Sequence, residues 1–231
     1  MSRVIAENGR VITVRQVGFY GMVWCLISGG PALAGVPALA SATTSAEEVR
    51  IATVPYQVPA LHMVRQTGES VSLPEEFNDG RPVVLNFIFT SCGAICPLMT
   101  QTLASFQRQL GSDSARVHIM SISIDPEEDT PARLRDYARE YHVGAGWTFY
   151  TGTPEASIAA QKAFNLYRGD KMSHTAVTFM RAAPGESWER LDGFATPGQL
   201  VREYRRLVNG RAVAVGPSSA LNQPEAAPAH R

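Results

Sequence analysis

Residues Val83 to Phe89, Val-Val-Leu-Asn-Phe-Ile-Phe, are strongly β-prone with a single polar interruption. A short apolar run without alternation is how a strand buried on both faces of an α/β sheet reads. The run stops at Thr90-Ser91, and Pro97 then fits the first turn of a helix, where its missing N–H costs nothing. Leu98, Leu103, Phe106 and Leu110 give that helix an apolar face. Cys92 and Cys96 therefore lie on the connection from a buried strand to a helix. Thiolates at a helix N-terminus feel its positive end, which lowers their pKa and favours redox chemistry or soft-metal binding. The alternative is a structural disulfide. On a regular helix, residues four apart hold their Cβ atoms about 5–6 Å apart, whereas a disulfide needs about 3.5–4.5 Å. A bridge thus requires Cys92 in the loop, and its short ring removes little entropy from the unfolded chain.

The 231 residues suffice for one well-cored domain with terminal extensions. With 45% hydrophobic and 18% charged residues the composition is that of a soluble globular protein. Formal net charge is zero, and with no Lys/Arg cluster the balance argues against nucleic acid as a partner.

Arg3, Arg10 and Arg15 precede a charge-free run from Gln16 to Ala46, the pattern of a positive region leading into an export segment. Val17 to Ser28 is its apolar heart; Gly29, Gly30, Pro31 and Pro37 break any helix, and Ala38-Leu39-Ala40 has the small-x-small form of a signal-peptidase site. Residues 1–40 are read as a signal peptide, with an uncleaved membrane anchor as the alternative, since about 20 apolar residues span a bilayer. Either way the body of the chain is expected outside the cytoplasmic membrane, in the periplasm or on the membrane's outer face. Losing the first forty residues removes three of 21 basic and one of 21 acidic residues, leaving 18 and 20, and it removes Cys25. Two cysteines then remain in an oxidising compartment, where an unprotected pair becomes a disulfide unless kept reduced or metallated.

Residues 41–57 are a small-residue linker, 58–209 the folded domain and 210–231 a Pro/Ala/Ser-rich disordered tail. Ala60 to Gln66 and Glu69 to Leu73 read as a hairpin about Thr67-Gly68. Val117 to Ile124 is a strand ending in an acidic loop, after which Asp129 or Thr130 caps a helix starting at Pro131. Thr148 to Tyr150 is a strand, Thr153-Pro154 opens a helix to about Phe164, and Thr175 to Ala182 and Trp188 to Leu191 form a hairpin. Thr196 caps a last helix, Pro197 to Val208, ended by Asn209-Gly210. This order gives a mixed sheet with helices on both faces and reactive loops at the C-terminal ends of its parallel strands, where Cys92 and Asp125 fall.

The chain resembles the SCO/SenC family of exported copper-binding proteins over about Val58 to Val208. The resemblance rests on Cys92-x-x-x-Cys96-Pro97 at the strand end, on Ser123-Ile124-Asp125-Pro126-x-x-Asp129-Thr130-Pro131, and on Ser173-His174-Thr175-Ala176. It implies an α/β fold, a thioredoxin-like three-layer sandwich with a mixed central sheet and an N-terminal β-hairpin extension. It also implies copper binding by Cys92, Cys96 and His174, in a metallochaperone that delivers copper to, or reduces the cysteines of, the binuclear copper centre of cytochrome c oxidase. The partners it implies are the copper-centre subunit of that oxidase and other copper chaperones or thiol reductases. Gly93 stands where the family usually has proline, and Ser173 where it usually has aspartate. Both departures bear on loop rigidity and metal affinity, and neither removes a ligand.

The residues agree with this reading. Two thiolates and an imidazole fall one short of the closed tetrahedral set of a structural zinc, and soft thiolates favour Cu(I). His174 begins a strand and can approach the same sheet edge as the cysteines. His62, His118, His142 and His230 read as structural or solvated, and Met99 and Met172, near the proposed ligands in sequence, are left out of the ligand set because methionine fills cores at least as often as it donates a thioether. Asp125 either tunes the site or serves as a turn residue before Pro126. The rival function is a thiol–disulfide oxidoreductase or redox sensor using Cys92 and Cys96 as redox-active residues. Against it, the spacing is one residue longer than Cys-x-x-Cys, and His174 stands where thioredoxin-like reductases carry a proline.

Overall fold

The computed structural model describes residues 49–214. The export segment, Cys25, His230 and the tail beyond Ala214 lie outside those residues. In chain order the elements are β1 (Arg50–Val54), β2 (His62–Arg65), β3 (Ser70–Ser72), α1 (Leu73–Phe77), β4 (Val83–Ile88) and α2 (Ile95–Leu110). They continue with β5 (His118–Ser123), α3 (Pro131–Glu140), β6 (Trp147–Thr151), α4 (Pro154–Ala163), β7 (Val177–Arg181), β8 (Trp188–Asp192) and α5 (Pro197–Ala214).

The eight strands among the described residues form one sheet in the order β1-β8-β7-β4-β5-β6-β2-β3. β4 runs parallel to β5 and β5 to β6, while β7 lies antiparallel on the other side of β4. Every residue of β4 and β5 is buried, which explains the unbroken apolar run in the sequence: neither face of these strands meets water. Alternate residues feed two cores. Val84 and Ile88 pack with Leu103 and Phe106 of α2, Leu134 of α3 and Leu200 of α5. Val83, Leu85 and Phe87 face the other way, onto Phe77 of α1, Ala156 and Ala160 of α4, Phe164 and Trp188. The result is the expected three-layer sandwich with a mixed sheet, and the β2–β3 pairing supplies the expected hairpin at its edge. In the second core Phe164 meets Trp188 edge-on at a centroid separation of 5.1 Å, a contact that contributes about 0.5–1.5 kcal/mol beyond area burial.

Helix starts follow the sequence closely. The Thr130 and Thr153 hydroxyls accept from the N–H groups of Arg133 and Ala156 at 3.3 and 3.2 Å, so Thr130 rather than Asp129 is the cap of α3. Two boundaries differ from expectation. β1 lies inside the segment read as a linker; four of its five residues are exposed, so it carries no burial pattern and is made by pairing with β8. The last helix runs through Asn209-Gly210 to Ala214. Gly210 does not take the left-handed conformation that ends a helix, and glycine inside one costs only about 1 kcal/mol relative to alanine. Among the described residues no helix is long and apolar enough to cross a membrane.

Candidate metal centre

β4 delivers the chain to the C-terminal edge of the sheet, and Cys92 lies in the loop before α2 with Cys96 in that helix's first turn. Cys96 is 1% exposed and Cys92 partly so; both are free thiols. The cap position of α2 is Ala94, whose side chain offers no acceptor. The sulfur of Cys92 takes that role: the Cys96 N–H donates to it at 3.4 Å. Burial pushes the Cys92 thiol up, but the N–H groups of Cys96, Ala94 and Ile95 outweigh it and bring the pKa below the ordinary 9.0. Cys96 goes the other way, pushed up to about 12 by burial, with the neighbouring Cys92 and Asp129 adding to the rise. The pair is thus one accessible, acidic thiol and one buried, reluctant one. Tyr137 of α3 and Tyr141, the residue after that helix, flank it, their phenol pKa values raised by burial and, further, by the two sulfurs. A Cβ at Gly93 would meet nothing within 4 Å, so the missing side chain answers no steric need.

His174 follows the short 3-10 turn Lys171–Ser173 and precedes β7. Its Nε2 lies 3.1 Å from the carbonyl oxygen of Phe87. A carbonyl only accepts, so Nε2 carries the proton and Nδ1 keeps its lone pair. Burial depresses the ring's pKa below the ordinary 6.5, with the Phe87 carbonyl opposing, which leaves a neutral imidazole at pH 7. The contact follows from strand geometry. Ile88 O accepts from Ile124 N on the β5 side, so Phe87 O, one residue earlier, points towards β7. β7 stops pairing at Asn86↔Thr178, and the imidazole takes the rung left open.

Cys92 and Cys96 are in contact, and His174 is held at the same end of the sheet. Among the described residues, however, no three His, Cys, Asp or Glu side chains stand close enough together to hold a metal ion. A cavity of about 430 Å³ lies beside His174, lined also by Asp125, Lys171, Tyr167 and Gln161. Lys171 Nζ pairs with Asp125 Oδ2 at 2.6 Å, closing the segment before His174 onto the end of β5. Asp125 is therefore an ion-pairing residue of this edge as well as a turn residue. Met99 is buried and Met172 is 73% exposed. His62 is exposed in β2, His142 is exposed with positive φ just after α3, and His118 is buried at the far end of β5.

Sequence reading passed over Asp129 as anything but a cap. It is fully buried, and its carboxylate accepts from the N–H of Thr90 at 3.2 Å, from the Thr90 hydroxyl at 2.5 Å and from the Ser123 hydroxyl at 2.6 Å. The Phe87 carbonyl was equally invisible, because a main-chain acceptor leaves no mark on side-chain identity.

A strand-to-helix thiol pair at the edge of a mixed sheet, with a neutral imidazole nearby, defines a thioredoxin-like dithiol domain with soft-metal donors. The SCO1/SenC family model matches residues 55–209, and the chain belongs to that family. Over 104 residues it is 36% identical to the SCO1 protein homolog of Bacillus subtilis, covering 45% of this chain and 53% of that one; the chain spans about half the length of the curated relative. BsSco, described as a member of the Sco family of cytochrome c oxidase assembly proteins and carrying a disulfide switch, superposes with a TM-score of 0.58 at 27% identity. That match covers 68% of this chain and 96% of BsSco. Bradyrhizobium japonicum ScoI, solved with copper bound, superposes with a TM-score of 0.55 at 22% identity, over 67% of this chain and 98% of its own, a likeness of fold.

Proposed function

We propose that this protein is an exported copper metallochaperone, binding one copper ion through Cys92, Cys96 and His174 and serving assembly of the binuclear copper centre of cytochrome c oxidase. The observation that carries the reading is the state of the donors. The first turn of α2 donates to the Cys92 sulfur and favours its thiolate, and His174 offers an unprotonated Nδ1 because Nε2 is committed to Phe87. A metal-binding histidine commonly fixes its ring in this way, with the second nitrogen on a main-chain carbonyl. Two thiolates satisfy Cu(I), and the imidazole supplies the nitrogen donor that Cu(II) prefers. The Cys92–Cys96 contact supplies the first part of the site, and a bound ion would draw the third ligand to it. Residues 1–40 act in this reading as signal peptide or anchor, with the domain on the outer side of the membrane.

The test is copper titration of the reduced domain. One ion per chain is expected, and none for the oxidised protein, since disulfide sulfurs are not thiolate ligands. Stoichiometric copper held with unchanged affinity by Cys92→Ser or Cys96→Ser would refute the site.

A second reading, disulfide reduction on the same oxidase subunit, is favoured by the split between the two thiols. The Cys92 thiolate would attack a client disulfide and release one thiol; Cys96, giving up its proton, would then attack the Cys92 sulfur and release the second. The client gains the two electrons and this chain keeps the disulfide. Such activity needs no metal and should survive His174→Ala, whereas copper delivery should not.

A further inference from the structure

Asp129 is a carboxylate with no exposure to water, and its neighbourhood is not what a buried anion requires. Charges taken out of water are ordinarily paired with an opposite charge. The nearby cations are already engaged elsewhere: Lys171 pairs with Asp125 and Arg133 with Glu128. Lys171 feels the Asp129 charge only from a distance. Asp129 has no ion-pair partner of its own among the described residues and is held by neutral donors from two segments. Thr90, two residues before Cys92, gives an N–H and a hydroxyl; Ser123, the last residue of β5, gives a hydroxyl. The carboxylate therefore bolts the start of the thiol loop to the neighbouring strand, two residues from Cys92. The first turn of α3, which follows at Pro131, offers partial compensation through its dipole.

We propose that Asp129 is a positioning residue of the copper site: it clamps the Thr90 end of the thiol loop to β5 and holds its carboxylate at the base of that loop, where negative charge favours a bound cation. The inference rests on the copper-binding reading above and adds a residue that donates nothing to the metal. An electrostatic role has a signature that a packing role lacks, because the attraction scales with the charge of the ion. Removing the charge while keeping the shape should weaken Cu(II) binding more than Cu(I) binding.

The experiment compares the wild-type domain with Asp129→Asn and Thr90→Val, measuring Cu(I) and Cu(II) affinities by chelator competition and, in the metal-free protein, hydrogen exchange of the Thr90 amide. Asp129→Asn is expected to lower Cu(I) affinity about tenfold, at the lower end of outer-shell effects, and Cu(II) affinity about a hundredfold. Its Thr90 amide should exchange faster. Thr90→Val keeps the charge and loses one hydrogen bond, so its smaller loss should be the same for both ions. Equal losses for the two ions in Asp129→Asn, or unchanged exchange at Thr90, overturns the proposal. Should Asp129→Asn fail to fold, an unequal loss in Thr90→Val overturns it instead. A wild-type domain that binds no copper refutes the functional reading, and the exchange measurement still decides the clamp.

Discussion

The main-chain N–H of Cys96 points at the sulfur of Cys92 across 3.4 Å, so one ligand of the proposed site caps the helix that carries the other. With the N–H groups of Ala94 and Ile95, this contact favours negative charge on Cys92. Burial is the main reason Cys96 resists ionising, and the charge on Cys92 adds to it.

The first prediction concerns thiol reactivity. Cys92 has its pKa below the ordinary 9.0 and is partly exposed, whereas Cys96 is buried with a pKa of about 12. Limited alkylation of the reduced, metal-free protein at pH 7–8 should label Cys92 first and leave Cys96 largely unmodified, as read by peptide mass analysis. Labelling of Cys96 first would show that the sulfurs are not arranged as described.

His174→Ala should separate the two oxidation states of copper. Cu(I) can be held by two thiolates, but Cu(II) loses its nitrogen donor. The variant should lose Cu(II) affinity by more than the roughly 100-fold upper range of outer-shell effects while changing Cu(I) affinity far less, and the sulfur-to-copper absorption band should shift. An intact Cu(II) spectrum would leave the imidazole as a structural prop of Phe87.

Acid should destabilise the metal-free fold from below about pH 6.5. His118 lies with Nδ1 2.9 Å from Asp79 and Nε2 3.1 Å from the Tyr150 hydroxyl, with Arg81, Glu76 and Thr148 also facing it. Burial, and then Arg81, depress its pKa below 6.5 despite the two carboxylates, and burial does the same to His174. The unfolded chain then takes up protons that the folded one refuses. Stability is complete above 6.5 and falls as pH drops towards the folded-state values, by at most about 1.4 kcal/mol per pH unit per histidine. Denaturant melts across pH 7 to 4.5 should show a shallower fall for His118→Gln. A slope of the opposite sign would contradict the burial of both rings.

Gly93 answers no steric need, so Gly93→Ala should fold with unchanged or slightly higher stability. Replacing glycine where the backbone permits a side chain gains about 0.4–1 kcal/mol by restricting the unfolded chain. Thermal melting checks this, and a marked loss would mean the loop uses a conformation that only glycine adopts.

Much of this arrangement was legible beforehand for physical reasons. The run from Val83 to Phe89 has no alternation because both faces of β4 are covered, and Thr130 and Thr153 cap because a hydroxyl before a proline is a local, complete signal. What stayed hidden was made by long-range pairing. β1 exists through its ladder with β8, Asp129 matters through Thr90, thirty-nine residues away, and His174 finds a carbonyl eighty-seven residues earlier. The sequence motifs named the proposed ligands; which histidine nitrogen is free followed only from the fold.

The rung that β7 leaves open on β4 has a consequence for tolerance to insertion. The imidazole sits there because two residues, Thr175 and Ala176, separate it from the first residue of β7 at Val177. That spacing works as a ruler. One extra residue between them would carry the ring off the Phe87 carbonyl while leaving every strand contact untouched, so this stretch should accept substitution far more readily than a change of length.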